Sequence, residues 1–200
     1  EAASDTALGV STDSEGVSCP SEDVKWKITV RRNGDEVSEF GKDLVRSVEF
    51  RDVMTLPDGI SWKEGIKEAL VNNDIHYSGG YFYAGDTQVG SLSYNTSTNL
   101  STQNAKASWD KDLKTVVFSW RTRNTSDEED LNPFTVTLTV LKSALVVDAG
   151  NTFSVNSTGT FENTVSAKIH YTYAKDIEGE SSATRNIGGG AAKIGVSKSS

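Results

Sequence analysis

The chain has 200 residues, with 20 Lys and Arg against 28 Asp and Glu, for a formal net charge of -8. That balance argues against a nucleic-acid or anionic-membrane surface, because both need clustered Lys and Arg. One cysteine, Cys19, excludes an intrachain disulfide, and no run approaches the ~18 apolar residues of a membrane-spanning helix.

No basic-then-apolar signal peptide opens the sequence, which therefore reads as a mature or excised segment. Its first stretch is polar, with one short alternating piece, Leu8, Val10 and Thr12, that reads as an edge strand. VKWKITV follows, with Val24, Trp26, Ile28 and Val30 on one side of a two-residue period and Lys25, Lys27 and Thr29 on the other. Asn33-Gly34 marks a tight turn. The next strand, LVRSVEFRDV, puts Val48, Phe50 and Asp52 on one face, so that an acid shares the parity of the core.

Ser61-Trp62-Lys63-Glu64 has the spacing of a capping box, and it predicts one amphipathic helix from about Trp62 to Asn72 that lays Ile66 and Leu70 on a sheet. From Tyr77 to Asn104 the text reads as loop. Strands resume at LKTVVFSWRT and PFTVTLTVL, separated by the acidic run Asp127, Glu128, Glu129 and Asp130. The last strong strand, FENTVSAKIHYTY, places Phe161, Val165, Ala167, Ile169, Tyr171 and Tyr173 on one face. Asn163 has the same parity, although a buried amide without partners costs roughly 1–3 kcal/mol. It needs a reason to be there.

The two ends of the chain are alike. ALGVSTDS near the start and KIGVSKSS at the finish align with Thr12 opposite Lys198, as a tandem array would produce. Residues 1–187 are then one module, and residues 188–200 a Gly-rich linker leading into the first strand of a following repeat.

The order VKWKITV, VEFRDVMTLPDGI, PFTVTLTV, FENTVSAKIHY resembles the isopeptide-forming domains of Gram-positive fimbrial subunits and cell-wall-anchored adhesins. The resemblance implies a mainly β, immunoglobulin-like sandwich with one inserted helix and long loops. In that family a first-strand Lys condenses with an Asn of the final strand, beside a buried acid, with loss of ammonia. Asn163 matches the amide and Asp52 the acid. A desolvated lysine loses its charge and becomes nucleophilic, while a protonated carboxyl polarises the amide carbonyl and relays protons.

The lysine is where this sequence departs from the pattern. Thr12 stands at the matching place, and Lys25 and Lys27 have outward parity. Four readings stay open: the crosslink has been lost; the register is off by one, so that Lys25 or Lys27 reaches Asn163; Thr12 forms an ester; or Lys198 serves the next module. Loss ranks first.

Other chemistries are poorly supported. The run Asp127 to Asp130 could take Ca²⁺, but it lacks the alternating spacing of a calcium loop and reads better as a solvated charge run, so no cofactor is expected. His76 and His170 have no second ligand at zinc spacing. No G-x-S-x-G turn appears, and Cys19 lacks a thioester partner. The sequons at Asn95, Asn99, Asn124 and Asn156 are expected by chance in so Ser/Thr-rich a chain.

The expected function is therefore non-catalytic, with at most one self-crosslinking event. It is that of a stalk or spacer in an extracellular adhesin, anchored to the cell wall through other parts of the full-length protein and joined to neighbouring repeats. The alternative is a ligand-binding domain that reads a host glycan or matrix protein through the aromatic region of Tyr77, Tyr81, Tyr83 and Trp109.

Overall fold

The computed structural model describes residues 10–32, 45–96, 99–126, 131–150, 160–171, 177–186 and 190–196. In chain order the strands are β1 (Val10–Thr12), β2 (Ser18–Pro20), β3 (Val24–Arg32), β4 (Val45–Thr55) and β5 (Ile60–Trp62), followed by the helix α1 (Glu64–Val71). Then come β6 (Ile75–Ser78), β7 (Tyr81–Ala84), β8 (Thr87–Tyr94), β9 (Leu100–Trp109), β10 (Thr115–Asn124), β11 (Thr135–Val140) and β12 (Leu145–Val147). β13 (Thr160–Tyr171), β14 (Ile177–Asn186) and β15 (Gly190–Val196) complete the described chain.

Two sheets face each other across one core. The five-stranded sheet runs β14-β13-β4-β10-β9, and the six-stranded sheet runs β15-β3-β11-β8-β7-β6. Period-two alternation builds that core: Trp26 and Ile28 from β3, Phe50 and Met54 from β4, Phe118 and Trp120 from β10, and Phe161 and Val165 from β13 are all buried. Among the described residues the architecture is the mainly β sandwich with one α-helix that the resemblance implied.

Several elements differ from expectation. The helix spans only Glu64–Val71, its N-cap is Lys63, and no side chain caps it. Ser61 and Trp62 belong instead to β5, paired with β12, and the Ser61 hydroxyl donates to Asp148 at 2.6 Å. The helix still buries Ile66 and Leu70, as its spacing requires. The stretch read as loop holds the second half of β6, all of β7 and β8, and the first half of β9. Its two hairpins turn at Gly79-Gly80 and at Gly85-Asp86, where positive φ at three glycines provides the tight turns that flank β7.

In the tail, Gly190–Val196 is the edge strand of the six-stranded sheet, parallel to β3 from Gly190 opposite Trp26 to Val196 opposite Arg32. Of the expected first strand, Leu8 lies outside the described residues, and Val10–Thr12 are exposed on a separate hairpin with β2.

Candidate functional site

β4 and β13 are adjacent and antiparallel, with Asp52 opposite Val165 and Asn163 opposite Met54. That register sets the two polar residues on the inner face, one step apart on a diagonal. Asp52 is 0% exposed and Asn163 1%. The Asn163 amide nitrogen donates to Asp52 Oδ1 at 2.5 Å. Trp26 lies near from the opposite sheet, its indole N–H donating to Met54 Sδ at 3.3 Å. Aromatic and aliphatic side chains thus enclose the pair.

Burial dominates the electrostatics. It pushes the Asp52 carboxyl up from 3.8 to about 7, against the smaller lowering effect of the hydrogen bond from Asn163. A carboxyl that keeps its proton complements a primary amide, since each offers a donor and an acceptor. Among the described residues, Asp52 Oδ2 and Asn163 Oδ1 have no hydrogen-bond partner. A proton on the acid, with the amide turned to match, would join these two atoms as well.

The candidate amine and hydroxyl donors do not meet this pair. Lys25 and Lys27 are exposed on the outer face of β3, which removes the reading in which a one-residue register error brings them inward. Thr12 is exposed and pairs with Ser18 in the outlying hairpin. Its neighbour Asp13 accepts from the backbone amides of Glu15 and Val17 and from Lys63 Nζ at 3.2 Å. Lys198 and the acidic run Asp127 to Asp130 lie outside the described residues. Cys19 is buried, and burial raises its thiol above the usual range, as suits an inert sulfur.

The aromatic candidates separate into two groups. Tyr77 packs edge-on against Phe82, and Trp109 packs against Trp62 and Phe118, so both belong to the core side. Tyr81 is 38% exposed on the outer face of β7, and Tyr83, on the same face, stacks on His76 with ring centroids 4.9 Å apart. His76 was missed as a partner; pairing across the Gly-Gly hairpin could have found it. Among the described residues no cluster of three metal-ligating side chains occurs, and no helix is long and apolar enough to cross a membrane.

No protein-family model and no curated protein matches the chain. Among solved structures, the chain is similar to the collagen-binding subdomain of the Enterococcus faecalis surface protein ACE. Identity is 8%, coverage is 84% of this chain and 95% of that one, and the TM-score is 0.31.

Proposed function

We propose that the chain is a non-catalytic structural module, a stalk or spacer of an extracellular adhesin, held at a cell wall by other parts of its protein and flanked by neighbouring repeats. The observation that carries this reading is the enclosed Asp52–Asn163 pair. The pair matches the acid and amide that the resemblance to isopeptide-forming domains implies, and among the described residues no lysine bonds to it. The pair serves here as a hydrogen-bonded tie between β4 and β13, a remnant of the crosslink rather than a working one.

Intact mass with peptide mapping around Asn163 tests the remnant. The expected result is the unmodified mass. A deficit of one ammonia, with Asn163 joined to a lysine, would overturn the loss of the crosslink and name the donor. The second reading, a ligand-binding domain, is favoured by the exposed Tyr81 and the His76–Tyr83 stack. Binding on a glycan or matrix-protein array that disappears in Tyr81→Ala and Tyr83→Ala would replace the spacer reading; a spacer gives no signal that depends on those two tyrosines.

A further inference from the structure

The outer face of the five-stranded sheet carries a concentration of positive charge that the acidic composition conceals. On β4, β10 and β9 the outward residues fall into cross-strand rows: Arg51 opposite Ser119, which faces Lys106, and Glu49 opposite Arg121, which faces Gln103. Arg123 extends the second column, opposite Ser101. Arg51 and Lys106 are exposed, and Arg121 and Arg123 are half-buried. Among the described residues, these outward cations stand on the three strands with one outward acid, Glu49, which is ion-paired to Arg121 and lies 3.0 Å from His170.

A β-bulge falls between Ser119 and Arg121 where β9 pairs with β10, and Asn104 sits there in left-handed backbone, with φ of 55°. The bulge opens a depression of about 210 Å³ over Phe50 and Trp120, edged by Glu49, Asn104, Lys106, Ser119 and Arg121. Towards the far edge, Glu178 and Glu180 on β14 stand opposite Lys168 and Ser166 in the register.

We propose that this face binds a linear sulfated polysaccharide. Strands lie about 4.8 Å apart and alternate residues about 6.7 Å apart, so the cations form a lattice with spacings of about 5–10 Å. A chain bearing sulfate or carboxylate on successive sugars can meet several of them at once. Asn104, Gln103 and Ser119 supply neutral hydrogen-bonding groups between the charges, as sugar hydroxyls require.

The net charge of -8 does not cancel the patch. Screening over about 8 Å at physiological ionic strength makes the local balance decide. Duplex or single-stranded nucleic acid fits less well, because among the described residues the face offers no element to enter a groove and no aromatic platform for bases. A membrane fits less well again, since none of the described large hydrophobic residues of this sheet is exposed for insertion.

The test is the binding of a size-defined heparin fragment to the whole chain at about 0.15 M salt, measured by surface plasmon resonance. Saturable binding that weakens with salt is expected, with a loss of at least about tenfold in Arg51→Ser/Lys106→Ser. Lys25→Ser/Lys27→Ser removes the same charge from the opposite sheet and is expected to change nothing. No binding, or equal losses in the two double variants, would overturn the proposal. Equal affinity for duplex DNA of matched charge would overturn the polysaccharide. Should the first variant melt early, protection of the Lys106 amine from acetylation by bound heparin decides on the unaltered chain, and its absence counts against the site.

Discussion

Burial moves the Asp52 carboxyl from 3.8 up to about 7, and the direction of that shift fixes how stability must depend on pH. Between those values the folded state holds a proton that the unfolded chain has released, so stability falls as pH rises. The contribution is complete below about pH 4 and is lost by about pH 7, to a limit of about 4 kcal/mol. Asp13 works in the opposite direction, because backbone amides, that of Val17 foremost, lower its carboxyl. Comparison with Asp52→Asn isolates the buried group: denaturant midpoints of the parent should drop between pH 4 and 7 relative to the variant. Parallel profiles would mean that Asp52 is charged in the fold, with an undescribed cation beside it.

At the scale of elements, close approach is most demanding where β8 crosses β11. A Cβ on Gly90 would stand 2.8 Å from the Thr139 carbonyl oxygen and 3.7 Å from the Phe82 ring. Because the nearest atom is backbone, Gly90→Ala must displace one strand, and a loss of about 1–3 kcal/mol is expected from thermal or denaturant unfolding. A neutral substitution would mean that β8 and β11 sit farther apart. The sequence disclosed β3, β4, β10, β11 and β13 because each buries one face of a long alternating run. It concealed β6 to β9 for physical reasons: β7 has four residues, and β9 turns Thr102 inward, where Tyr94 binds its hydroxyl at 2.7 Å. A polar side chain satisfied inside the sandwich breaks the apolar period without breaking the strand. Asp52 and Asn163 were legible for the converse reason, as polar residues in otherwise apolar series. The basic face was not legible, because alternation spreads Arg51, Arg121, Arg123 and Lys106 singly among other residues and only the register gathers them.

For the whole molecule, the open question is where the module ends, and β15 decides it. β3 carries four buried residues, Val24, Trp26, Ile28 and Val30, and has β11 on one side. β15 covers its other side over seven residue pairs, with Gly190, Ala192 and Ile194 in register with Trp26, Ile28 and Val30. Without β15, the backbone groups of β3 would form an open sheet edge, a template for pairing with other chains. A chain ended after Asn186 is therefore expected to melt roughly 5–10 °C lower, since a loss of a few kcal/mol moves a domain of this size by that amount. It should also self-associate, with a light-scattering signal that rises with concentration. If the truncated chain instead melted unchanged and stayed monomeric, KIGV would belong to a following repeat, as its likeness to the ALGV segment suggests. The sandwich would then close on β3, with the boundary at the glycines before it.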